Sequence, residues 1–92
     1  MKVTYDAKKR QETIDNRGVD FEDAAVDFDG LYTTRRDQRQ LYDEDRYITV
    51  GRLHDDVIVI VWTERDESRR VISMRKADRD ERKDYQRLER SG

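Results

Sequence analysis

The chain has 92 residues, of which 46% are charged and 34% hydrophobic, against about 25% charged in an ordinary globular domain. Its 20 Lys and Arg nearly balance 22 Asp and Glu, leaving a formal charge of -2. That excludes the one-signed composition of a disordered polyelectrolyte and allows one small domain, with no room for a second. The whole span 1–92 reads as a single domain whose last residues, 90–92, fray.

The lack of Cys removes disulfides, thiolate metal sites and Cys nucleophiles, and a single His removes a His-cluster metal site. The longest apolar run, residues 57–62, is far short of the ~20 residues of a membrane helix. No apolar leader opens the chain, so a cytoplasmic protein without membrane contact is expected. Arg outnumbers Lys fifteen to five, and Asp outnumbers Glu fifteen to seven.

In chain order, Val3-Thr4-Tyr5 reads as a short strand. Asp6 then suits a helix N-cap, because its carboxylate can accept from free amides of the first turn. A polar helix follows over residues 7–16, and Gly18 suits the left-handed position beyond its end. Asp20 caps a second helix. Its Phe21, Ala24, Ala25 and Phe28 form one apolar stripe, with Glu22, Asp23 and Asp27 assigned to the other face. Gly30 ends it. Leu31-Tyr32-Thr33-Thr34 looks like a strand, and residues 35–45 like a polar loop anchored by Leu41 and Tyr42.

Three stronger strands come next. Tyr47-Ile48-Thr49-Val50 is β-branched and aromatic. Residues 57–63 are apolar on both faces and should form a central strand covered on both sides. Arg70-Val71-Ile72-Ser73-Met74 is the third. Turns at His54-Asp55-Asp56 and Arg65-Asp66-Glu67-Ser68 would join them in an antiparallel meander. Asp78 and Glu81 form a capping box for a last helix, whose apolar edge is Tyr85 and Leu88. The pattern is α+β: one antiparallel sheet, two N-terminal helices and a C-terminal helix.

Charge is uneven. Residues 19–29 carry five acids and no base, while residues 65–90 carry ten bases and seven acids. A polyanion could dock on the second stretch, though charge alone favours a solvated ampholytic surface. Arg46, Arg65 and Arg75 stand at strand ends. They could converge on a phosphate in bidentate fashion, or pair with nearby acids such as Asp45, Glu64 and Asp66. Glu44-Asp45 could hold a base or cap a strand entry. Tyr85 could supply a phenol or pack its helix, His54 falls in a solvated turn, and Trp62 belongs to the core.

The ordered set Tyr5-Asp6-Ala7-Lys8-Lys9, Asn16-Arg17-Gly18-Val19-Asp20-Phe21-Glu22-Asp23-Ala24, Glu44-Asp45-Arg46-Tyr47-Ile48-Thr49-Val50-Gly51, Thr63-Glu64-Arg65, Ile72-Ser73-Met74-Arg75-Lys76-Ala77 and Glu81-Arg82-Lys83-Asp84-Tyr85 resembles the BrnT toxins of bacterial type II toxin-antitoxin systems. It spans about residues 3–86. The resemblance implies a RelE-like ribonuclease that arrests translation by cutting RNA, with no metal or cofactor. It also implies a BrnA-like ribbon-helix-helix antitoxin as partner, a heterotetramer of the two, and operator DNA bound only through the antitoxin.

On that footing Arg46, Arg65 and Arg75 would stabilise the transition-state phosphate. Glu44 would be the base, with Tyr85 or Lys76 as acid or orienter. Arg17, Lys76 and Arg79 would bind RNA. Two positions depart from the family pattern. Asn16-Arg17-Gly18 stands where Lys-His-Gly is usual, and Trp62 stands where a His often precedes Thr-Glu-Arg. If those His residues move protons, a catalytically weakened domain that only binds its antitoxin is the alternative.

Overall fold

The computed structural model describes residues 2–30, 32–38 and 44–91. In order, they form β1 (Val3–Thr4), α1 (Ala7–Arg17), a 3-10 turn (Phe21–Asp23), α2 (Ala24–Asp29), β2 (Tyr32–Arg36), β3 (Tyr47–Leu53), β4 (Asp56–Arg65), β5 (Ser68–Lys76) and α3 (Arg79–Ser91). The α+β expectation, with two N-terminal helices and one C-terminal helix, holds.

The described strands form one sheet in the order β1-β5-β4-β3-β2. The meander β2 to β5 is antiparallel as expected. β1 departs from it and joins β5 in parallel, Val3 against Arg69, so the sheet is mixed. Two residues give no alternation from which a direction could be read. Leu31, Leu41 and Tyr42 lie outside the described residues. Arg35 and Arg36, assigned to a loop, extend β2 along the sheet edge. Arg90 and Ser91, expected to fray, are helical, and Gly92 lies outside the described residues.

The caps form where the sequence places them. Asp6 accepts from the backbone N–H groups of Lys8 and Lys9 at 2.9 and 3.0 Å, and those donors lower its pKa. Gly18 takes φ 69° and donates its N–H to the Ile14 carbonyl. Asp20 caps the 3-10 turn and also holds Arg10 in a two-point ion pair, which ties α1 to the next element. At α3, Glu81 N–H donates to Asp78 Oδ1 and Asp78 N–H donates to Glu81 Oε1, both at 2.9 Å.

β4 is central, with strands on either side and a core on each face. Ile58, Ile60 and Trp62 pack with Phe21, Ala24, Phe28 and Met74 beneath the N-terminal helices. Val57, Val59 and Val61 pack with Ile48, Tyr85 and Leu88 beneath α3. Register assigns the other strands to these faces. Arg35 lies opposite Ile48, and Arg75 opposite Val59, so both rise on the α3 side. A β-bulge between Val61 and Trp62 leaves Ile72 without a partner.

Asp27 corrects the helix reading. It is fully buried, whereas the sequence pattern put it on the outer face. It follows Ala24 by three residues, which is the same side of a helix, and α2 turns it onto Gly51 of β3.

Candidate functional site

The groove between α3 and the β2–β3 edge of the sheet has a volume of about 370 Å³. Ile48, Val50 and Leu88 make its apolar lining, and Thr33, Arg35, Tyr85 and two carboxylates, Glu81 and Asp84, bring polar groups to it. Each group arrives by a separate route. Arg35 comes from the edge strand, and Glu81 and Tyr85 share one side of α3 at i and i+4.

Arg75 reaches the same place from β5. Its Nη1 and Nη2 donate to Glu81 Oε1 and Oε2 at 2.8 and 2.9 Å, a bidentate pair. The Arg75 guanidinium is the main reason that the Glu81 pKa falls to about 2, with the Asp78 N–H and the Arg35 charge adding to it. Glu81 is therefore ionised at neutral pH. In its resting form it is a poor proton acceptor.

Tyr85 is buried, and burial first and the Glu89 charge second raise its pKa above the ordinary phenol value. It stays a neutral phenol at neutral pH, able to donate a hydrogen bond. Arg52 steadies it: the guanidinium lies 5.8 Å from the ring centroid. It also grips Glu89 through two bonds of 2.8 and 2.9 Å. That pair locks α3 onto β3.

Not all the sequence-predicted residues meet here. Arg65 donates to Glu44 Oε2 from Nε and Nη2 at 3.2 and 2.7 Å. In register, Arg65 faces Ser68 while Arg75 faces Val59. Six residues of β4 separate these positions, about 20 Å at 3.4 Å per residue. Arg46 precedes Tyr47, which pairs with Trp62, so it belongs to the Arg65 end. The three guanidiniums therefore do not converge: Glu44, Arg46 and Arg65 gather at one end of β4, and Arg75, Glu81 and Tyr85 at the other.

The remaining candidates lie outside the groove lining. Arg17 donates Nη1 to the Met74 carbonyl at 3.0 Å and borders a second depression, of about 300 Å³, between α1 and β5. Lys76 Nζ lies 3.8 Å from Asp56 Oδ2. Arg79 opens α3 and is exposed. Trp62 packs on the face away from the groove, its Nε1 donating to Thr49 Oγ1 at 2.7 Å and its ring stacked on Tyr47. Among the described residues, no cluster of three or more His, Cys, Asp or Glu is placed to hold a metal ion. No described helix is long and apolar enough to cross a membrane.

Sequence reasoning missed Glu81 as a site residue. It read the carboxylate only as half of a capping box, and the same group serves both the Asp78 N–H and Arg75.

Comparison of the sequence with curated proteins gives no match. The family model described as "Ribonuclease toxin, BrnT, of type II toxin-antitoxin system" matches residues 5–81, which include Arg75 and Glu81. The chain belongs to the BrnT family of ribonuclease toxins from type II toxin-antitoxin systems, a class that acts with a protein antitoxin as partner.

Proposed function

We propose that this chain is a metal-independent endoribonuclease that cleaves RNA at the α3 groove and thereby inhibits translation. We read its fold as RelE-like and its site as cytoplasmic. A BrnA-like ribbon-helix-helix antitoxin neutralises it in a heterotetramer, and only the antitoxin contacts operator DNA. The single observation that carries the reading is the Arg75–Glu81 pair beside the Tyr85 phenol in one groove.

The chemistry balances with these groups alone. The substrate 2′-oxygen attacks phosphorus, the O2′–P bond forms and the P–O5′ bond breaks. The products are a 2′,3′-cyclic phosphate and a 5′-hydroxyl. Arg75, with Arg35 nearby, stabilises the charge that builds on the phosphorane. When phosphate takes the Arg75 fork, Glu81 loses the partner that depresses its pKa and becomes the better acceptor for the 2′-hydroxyl proton. Tyr85 donates to the leaving oxygen or orients it. Glu44, Arg46 and Arg65 serve RNA held along the far end of β4, while Arg17, Lys76 and Arg79 bind its backbone.

The test is cleavage of a single-stranded RNA by purified protein, alongside growth and total RNA integrity on induced expression. Removing one transition-state donor costs about 10²–10³ in rate, so Arg75→Ala should lose that much while remaining folded. A folded wild type that leaves RNA intact and growth unchanged overturns the reading. It would favour a toxin-like domain kept to bind its antitoxin, which the tight closure of Glu81 over Arg75 also fits.

A further inference from the structure

β1 covers β5 only at Arg69 and Arg70. Beyond them the edge of β5 is crossed by α1, and Arg17 takes up the Met74 carbonyl. The depression left there is lined by Lys9, Glu12, Thr13, Asn16 and Arg17 from α1 and by Ile72 and Ser73 from β5. Its character differs from that of the groove. The groove has an apolar lining and an aromatic wall, which suit a base. The depression presents two cations, one acid (Glu12) and three neutral hydrogen-bonding side chains, which suit a phosphate and its ribose.

Ser73 joins the two. It lies opposite Val61, and Arg75 lies opposite Val59, so both side chains rise on one face of β5, about 7 Å apart. Ser73 borders the depression and Arg75 reaches the groove through Glu81. The bulge at Ile72 bends β5 at this crossing. The two recesses, of about 370 and 300 Å³, lie on either side of this crossing.

We propose that single-stranded RNA crosses β5 between Ser73 and Arg75, with the nucleotide next to the groove held through its phosphate by Lys9, Asn16, Arg17 and Ser73. This rests on the ribonuclease reading for its ligand and adds the direction the strand takes. Lys9 and Arg17 neutralise the phosphate, Asn16 and Ser73 donate to its oxygens, and the base of the neighbouring nucleotide enters the groove beside Tyr85.

The probe is a fluorescein-labelled single-stranded RNA with 2′-O-methyl riboses, which removes the attacking hydroxyl, read by anisotropy over a range of salt concentrations. Lys9→Glu and Asn16→Asp change exposed α1 side chains. Lys83→Glu, on the exposed side of α3, makes the same charge change elsewhere. Lys9→Ala should lower the slope of log affinity against log salt by about 0.7, the value for one phosphate contact with a single strand. Lys9→Glu should weaken binding on the order of tenfold, with Lys83→Glu close to wild type and all melting curves unchanged. Equal effects at Lys9 and Lys83, or duplex RNA bound as well as the single strand, overturns this path and leaves the cleavage reading standing. Loss specific to Lys9 and Asn16 in a protein that cuts no RNA supports the path and removes the cleavage reading.

Discussion

Gly51 lies directly against Asp27: a Cβ added to Gly51 would stand 2.8 Å from Asp27 Oδ1 and 3.0 Å from its Cγ. The absent side chain in β3 makes the space in which α2 buries a carboxylate. Both Asp27 oxygens are buried without a hydrogen-bond partner among the described residues, and burial alone pushes the pKa up to about 6 from 3.8.

Asp27→Asn should therefore stabilise the protein at neutral pH. The folded-state pKa is raised, so the carboxyl carries no penalty below pH 3.8. The penalty grows between there and about 6, and is fully present above that. At about 1.4 kcal/mol per unit it reaches about 3 kcal/mol at most. Chemical denaturation of both proteins from pH 4 to 7.5 should show the wild type losing ground steadily against Asp27→Asn, then running parallel to it. A constant difference across that range would contradict a titrating Asp27.

The same contact predicts that Gly51→Ala is destabilising by about 1–3 kcal/mol, the usual cost of overpacking a core. Combining it with Asp27→Ala should recover much of that loss, since the methyl then enters vacated space. A double-mutant cycle reads the coupling, and strict additivity would show that the two sites do not touch.

The 66–67 turn offers a gain. Asp66 and Glu67 both sit at positive φ, 48° and 64°, in the two-residue link from β4 to β5. L-residues pay about 1–2 kcal/mol in that conformation, and Asn-Gly is the favoured pair there. Asp66→Asn with Glu67→Gly should raise the melting temperature, with a gain of about 1 kcal/mol; an unchanged or lower melting temperature would show that the turn carries no such strain.

Much of this architecture is legible in the residues, and the failures have definite causes. Residues 57–63 announce a strand buried on both faces because both parities are apolar. Asp78 and Glu81 announce a helix start through hydrogen bonds that are local in sequence. The convergence of Arg46, Arg65 and Arg75 failed on geometry that the meander itself contains. Consecutive antiparallel strands finish at opposite ends of the sheet, so the end of β4 (Arg65) lies near the entry to β3, just after Arg46, and the end of β5 (Arg75) lies away from both. The partnership of Arg75 with Glu81 needed the turn after β5 to fold α3 back over the sheet, which no periodicity reveals. Asp27 was hidden by its type: an acid on an apolar stripe reads as surface until the facing strand is known to carry Gly51.

Trp62 tests whether the sheet face beneath the N-terminal helices takes part in catalysis. Its indole bonds Thr49, stacks on Tyr47 at 4.8 Å, meets Phe28 edge-on and lies 4.3 Å beneath the Arg69 guanidinium. All of this is on the sheet face opposite Arg75 and Glu81. Trp62→His should remove that packing and cost about 2–4 kcal/mol of stability. It should leave the cleavage rate per folded molecule unchanged. Arg75→Ala should show the reverse, a large loss of rate with a stability change of no more than about 1 kcal/mol, because the Arg75 side chain is 44% exposed. Measuring melting and cleavage on both variants separates the roles. A gain in rate from Trp62→His would show that the imidazole reaches the reacting phosphate, and would move the site to the face beneath the N-terminal helices.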